Sequence, residues 1–189
     1  MKVFLTFAAL FTVSVNMMVF HDDMRIYNGI RGNIESAAEN CAHGASTYFD
    51  LESYADGSLV YDRDQAAELI DNVKTRCRES DSKGYKNDLH VTAYFFDEFY
   101  EEKNGKNIRR GMCHVVEDGS ETSNFKFDFP YAHYIYKDTG AGDGAGERIM
   151  IEEPSVGVLV KADIRDPFRQ PFIGTGKVTG YCVYGNQAA

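Results

Sequence analysis

A chain of 189 residues with 43% hydrophobic and 26% charged residues is globular in composition, not disordered, and long enough for one domain with its own core. A formal charge of -9 argues against a nucleic-acid surface, which needs clustered cations; Arg109 and Arg110 make only a doublet. The 12 tyrosines and 13 phenylalanines, with no tryptophan, suit a β-rich domain with aromatic cross-strand pairs.

Val3 to Phe20 carry no charge and are interrupted only by Thr6, Thr12, Ser14 and Asn16. As a helix at ~1.5 Å per residue the segment spans roughly 27 Å, close to a bilayer core of ~30 Å. Lys2 lies before it and Asp22 and Asp23 after it, which places the N-terminus in the cytoplasm. A membrane anchor, a cleaved secretory signal and a buried core helix all fit this pattern. The next stretch favours the anchor. Met24, Tyr27, Ile30, Ile34, Ala38, Cys41 and Ala45 recur every three or four residues, so one helix continues with a single apolar face. Asp23, Arg25, Arg31, Glu35 and Glu39 are expected opposite that face. Gly29, Gly32 and Gly44 weaken a helix interior but permit close helix approach.

DLESYADG, from Asp50 to Gly57, reads as a turn that ends the long helix. A second helix follows from Asp62 to about Glu79, with Asp62 as N-cap and Gln65 completing a capping box. Its stripe is Ala66, Leu69, Ile70, Val73 and Cys77. Leu89 to Tyr100 alternates as the strongest strand, with Leu89, Val91, Ala93 and Phe95 on one face and His90, Thr92, Tyr94 and Phe96 on the other. Asn104-Gly105 signals a hairpin turn, with a return strand from Asn107 to Val116 and a second turn at Asp118-Gly119. Phe125, Phe127 and Phe129 form a half-exposed strand that Pro130 bends or confines to an edge. Strands are also expected at Tyr131–Lys137, Arg148–Glu152, Ser155–Ile164 and Lys177–Tyr184, with an irregular stretch from Asp166 to Gly176. The sum is an α+β chain: a long N-terminal helix, a second short helix and a mainly antiparallel sheet. Residues 1–20 form the membrane or filament-core segment, 21–48 its amphipathic continuation and 49–189 an extracytoplasmic domain.

Chemistry is sparse. Cys41, Cys77, Cys113 and Cys182 lack the spacing of zinc or thioredoxin-like sites. In an exported domain an even number suggests two disulfides, of three pairings; Cys41 with Cys77 and Cys113 with Cys182 are favoured. His90, His114 and His133 lie in separate strands and are read as sheet residues in preference to a metal site. His43 reads as a surface residue. Asp138, Asp143 and Glu147 do not match a calcium loop, and the 138–147 segment reads as a solvated hairpin tip. Asp97 with Glu98, and Glu101 with Glu102, read as charges guarding a strand edge. No nucleophile elbow is present. No enzyme, cofactor, metal or small-molecule substrate is expected.

The apolar FLTFAALFTVSVNMMVF, the small-residue helix RIYNGIRGNIESAAENCAHGAS and the tail PSVGVLVKADIRDPFRQPFIGTGKVTGYCVYG resemble a TadE-like pseudopilin, a minor pilin of the Tad (tight adherence) pilus system. The resemblance implies a pilin-like fold, insertion by one N-terminal helix and an extracytoplasmic domain without catalysis. It assigns Phe4, Phe7, Leu10, Phe11, Val15, Met18 and Val19 to the membrane or filament core and Ile30, Ile34, Ala38 and Ala45 to helix packing. Other pilin-like subunits and the membrane would be the partners, on a cell-surface filament. The glycine-ended leader and the early glutamate of prepilin-type proteins are absent from this stretch, so prepilin-peptidase processing is not expected. The alternative is a secreted, disulfide-stapled domain that binds a ligand or protein on its aromatic sheet face.

Overall fold

The computed structural model describes residues 2–80, 89–103, 105–136, 146–163 and 177–185. The expected loop after the second helix, the glycine-rich loop with Asp138 and Asp143, and the stretch from Asp166 to Gly176 lie outside the described residues, as does Asn104.

Helix α1 runs unbroken from Lys2 to Ser46, 45 residues in all. Its second half is held by a stripe at helical spacing: Ile30, Ile34, Ala38, Cys41 and Ala45 are all buried, with Tyr27 packed against the same cluster. Asp23 differs from expectation and is buried. It lies at i, i+4, i+7 and i+11 with Tyr27, Ile30 and Ile34, so the stripe's line runs through it. The segment expected as a turn contains a short helix α2, Leu51–Ala55, because the Asp50 carboxylate caps it by accepting from the Glu52 and Ser53 N–H groups. Helix α3, Arg63–Ser80, starts where expected, and Asp62 accepts from the Gln65 N–H at 3.1 Å. The Gln65 side chain returns to the Asp62 carboxylate at 2.8 Å in place of its backbone N–H, which donates to Tyr48 O.

Seven strands follow among the described residues: β1 His90–Lys103, β2 Lys106–Glu117, β3 Ser120–Phe127, β4 Tyr131–Tyr136, β5 Gly146–Ile151, β6 Ser155–Asp163 and β7 Lys177–Gly185. All pairings are antiparallel, with the order β3-β2-β1-β6-β7 in one sheet and β4-β5 in a separate ribbon. Alternation divides β1 as expected. Val91, Ala93 and Phe95 meet the helices, while Phe96 meets the β4–β5 ribbon with Tyr94 beside it. The result is three layers: helices, sheet, ribbon. The β2–β3 turn places Asp118 at φ 46 before Gly119 at φ 85, the left-handed pair that a tight hairpin requires.

Small residues bring α1 close to the sheet and to α3. A Cβ on Gly180 of β7 would lie 2.6 Å from the Ile34 carbonyl oxygen, so glycine sets the distance between α1 and β7. Gly44 faces Leu69 of α3 in the same way, its imagined Cβ 2.9 Å from the leucine methyls. Gly29 and Gly32, by contrast, have nothing within 4 Å.

Candidate functional site

The first half of α1 stands clear of the domain. Phe4, Phe7, Leu10, Phe11, Val15 and Met18 are between 42% and 73% exposed, and Val19 is half-buried. The buried-core reading of this segment is therefore overturned: its most apolar window has 0% of its residues buried. Its four polar side chains bond back into the helix. Thr6, Thr12 and Ser14 donate to the carbonyls of Lys2, Ala8 and Leu10 at 3.0, 2.9 and 2.9 Å, and the Asn16 amide to Thr12 O at 3.0 Å. Each returns at least one donor to the backbone, which lowers the penalty of placing that group in an apolar medium. This is one helix long and apolar enough to cross a membrane.

The cysteines are free thiols. Cys113 packs in the cluster beneath the ribbon and Cys182 against the helix-side cluster, so they lie on opposite faces of the sheet. They also sit on strands with β1 and β6 between them, roughly 14 Å apart at ~4.8 Å per strand. A bridge needs Cα atoms within about 7 Å, so the Cys113–Cys182 pairing is wrong. Cys41 and Cys77 do share the helix-side cluster, unbridged. Burial, then the electrostatic influence of Cys77 beside it, pushes the Cys41 thiol up to about 12. That keeps it protonated and a poor nucleophile.

Asp97 and Glu98 correct the reading of β1. They do point to opposite faces, but both are buried and ion-paired, and where β6 ends at Phe96 the Leu59 carbonyl takes the Glu98 N–H, so neither residue guards an open edge. Asp97 is 3% exposed. It accepts from the Tyr61 N–H at 2.9 Å and from Arg63 at 3.3 Å, and His114 Nε2 stands 3.5 Å away. The other nitrogen of His114 faces Glu121 at 2.9 Å, and Asn124 donates to the same Glu121 oxygen. Burial pushes the Asp97 carboxyl up to about 6, against the opposing pull of the Tyr61 N–H, His114 and Arg63. Glu98 takes Arg109 on both oxygens, at 2.8 and 3.0 Å. Sequence reasoning missed the Tyr61–Arg63–Asp97–His114–Glu121 set. The available signal was an acid at an inward position of the β1 alternation, between Phe95 and Phe99.

This set ties the α2–α3 link to β1, β2 and β3. Both ring nitrogens of His114 are engaged by carboxylates, and the neighbouring Cys113 points to the other face. The arrangement is a brace, with no nucleophile beside a free base. The three strand histidines do not converge. His90 holds Asp118 at 2.9 Å, His114 holds Asp97 and Glu121, and His133, on β4 of the ribbon, is buried against the Phe96 and Tyr94 rings. Burial lowers the His133 pKa. His43 is exposed and meets the Tyr184 ring edge-on at 4.5 Å. Among the described residues no group of three or more His, Cys, Asp or Glu is placed to hold a metal ion.

A cleft of about 280 Å³ opens between α3 and the sheet, floored by Val91, Ala93 and Val116 and walled by Ala67 and Ile70. Lys74 reaches from α3 to Asp118 at 3.0 Å on its rim. No family model, curated protein or solved structure matches the chain.

Proposed function

We propose that this chain is a membrane-anchored, pilin-like subunit or assembly component of a pilus or secretion pseudopilus, without enzymatic activity. The observation that carries the reading is α1: one continuous helix, apolar and uncovered from Val3 to Phe20, then packed through small residues onto a sheet. Leaving that many large apolar side chains in water is unfavourable by ~25 cal/mol per Å² of apolar surface, so they require lipid or neighbouring helices. Membrane helices impose the further demand that polar groups be satisfied within the segment, and the i to i−4 bonds of Thr6, Thr12, Ser14 and Asn16 go toward meeting it. Lys2 on the cytoplasmic side then puts the α+β domain outside. The aromatic sheet face offered by the secreted-binder alternative is occupied, because Phe96 and Phe127 lie against Tyr131 of the ribbon.

The test is to shear producing cells and probe the filaments, the washed membranes and the medium for the protein. Full-length chain in the filament and membrane fractions is expected. A shortened chain free in the medium would replace the anchor with a cleaved signal and sink the subunit reading.

A further inference from the structure

The β4–β5 ribbon has the geometry of a flap. Neither of its strands pairs with the five-stranded sheet. It is tied to that sheet through residues 128–130, which follow β3, and residues 152–154, which precede β6. Both links leave from the same end, beside the Tyr131–Ile151 pair, which is where a hinge would lie. By alternation Tyr131, His133 and Ile135 face the sheet with their partners Ile151, Ile149 and Glu147, while Tyr134 and Met150 face outward. A lone two-stranded ribbon is marginal in water, so this one depends on the surface it lies on.

That surface meets one group able to gain a charge near neutral pH. His133 is 7% exposed, at the middle of the ribbon's inward face. Its ring lies 4.6 Å from that of Tyr94 and 5.2 Å from that of Phe96, and its Nε2 has no hydrogen-bond partner. Tyr181 Oη and Ser155 Oγ, on the same side of the sheet, are also buried without a partner. The titratable groups facing His133 are Tyr94 of β1, Cys113 of β2, Tyr181 of β7 and, within the ribbon, Tyr131 and Glu147. β3 turns Phe127 to this side and β6 turns Ser155 and Gly157, none of them charged. Between pH 7 and pH 5 the tyrosines and the cysteine are neutral as well. The charges lie at the margin: Glu117 and Glu147 are exposed, and Glu98 is held by Arg109. Burial lowers the His133 pKa, with no carboxylate opposing it. An imidazolium there is out of water, and the Tyr94 and Phe96 ring faces offset only part of that loss.

We propose that the β4–β5 ribbon is an acid-opened flap: protonation of His133 swings it off the sheet and bares Tyr94, Phe96 and Phe127, while the helix-side core stays packed. Opening returns His133, Tyr181 and Ser155 to water and so removes three buried, unpartnered polar atoms at once. Asp97 does not drive the movement, because it lies on the opposite face among Tyr61, Arg63 and His114. The flap concerns the domain alone and stands whether or not α1 is an anchor.

Two cysteines read the two faces separately. Cys113, 0% exposed in the cluster beneath the ribbon, reports the flap, and Cys41, 1% exposed in the helix-side cluster, reports the rest of the fold. The purified full-length chain, in nonionic detergent, is pulsed with a dipyridyl disulfide and each labelled peptide is measured by mass. Each rate is divided by that of the same chain unfolded in urea at the same pH, which removes the reagent's own pH dependence. From pH 7 to pH 5 labelling of Cys113 should rise about tenfold and that of Cys41 less than about twofold, since one proton taken up on opening shifts the population by up to about tenfold per pH unit. His133→Phe should hold Cys113 to within about twofold over the same range, and His133→Gln, equally uncharged, gives the same readout if the first variant does not fold. A Cys113 rate that does not increase in the parent overturns the flap. An increase that the neutral variants share overturns the part given to His133. A rise at Cys41 equal to that at Cys113 overturns local opening, because the domain then unfolds as one unit.

Discussion

Gly180 decides how close α1 comes to the sheet. Its missing side chain leaves room for the Ile34 carbonyl, a backbone atom of a helix already fixed by Ile30, Ala38 and Ala45. Gly180→Ala must move α1 or β7, and should destabilise the domain by about 1–3 kcal/mol. Gly44→Ala meets only the methyl end of Leu69, which can turn aside, and gains up to ~1 kcal/mol of helix propensity in return. Urea unfolding of the two variants should therefore rank Gly180→Ala well below Gly44→Ala. Equal midpoints would mean that α1 does not rest on β7 as described.

At the scale of elements, α1 does two jobs along one axis. Its second half is a core helix whose stripe is mostly alanine, so the helix backbone sits near β6 and β7. Its first half contributes nothing to that core and is free to meet another medium. Ala8→Arg places a charge near the centre of the apolar half, at about 2.5–3.5 kcal/mol against insertion. The expected outcome is loss of the chain from alkali-washed membranes with the far-UV spectrum of its domain unchanged. Full retention of Ala8→Arg in those membranes would remove the anchor. The β1 strand is likewise two elements in one: to Phe96 it is the centre of a sheet, and from Phe99 to Lys103 it pairs with β2 alone among the described strands.

For the whole molecule, the pH response is a contest between two buried groups on opposite faces of the sheet. Asp97 has its folded pKa raised to about 6, so in the acid range above its unfolded value the native state takes up protons and acidification stabilises it. His133 has its folded pKa lowered by burial, so acidification below about 6.5 protonates the unfolded chain first and destabilises the native state. Between pH 7 and pH 5 the two oppose. Asp97→Asn should make the thermal midpoint fall more steeply over that range, and His133→Phe should make it fall less or rise. Parallel pH profiles for parent and both variants would show that neither group titrates between the folded and unfolded states.

The amino-acid order alone determined α1 and its buried stripe, the α3 cap at Asp62, the two faces of β1 and the α+β class. Each is a local periodicity or a contact between residues a few positions apart, so each is written within one window of sequence. Only the tertiary structure decided that β1 pairs with β6 across more than 50 intervening residues, that the β4–β5 ribbon covers the aromatic face, and that Cys113 and Cys182 lie on opposite sides. It also decided that Asp97 is braced by Tyr61, Arg63 and His114 when its neighbours in sequence suggested a solvated edge. A strand's alternation says which residues share a face, but not which face is inside or which strand lies alongside. Those depend on the long-range order in which strands are laid down, and on where glycine and alanine let a helix approach.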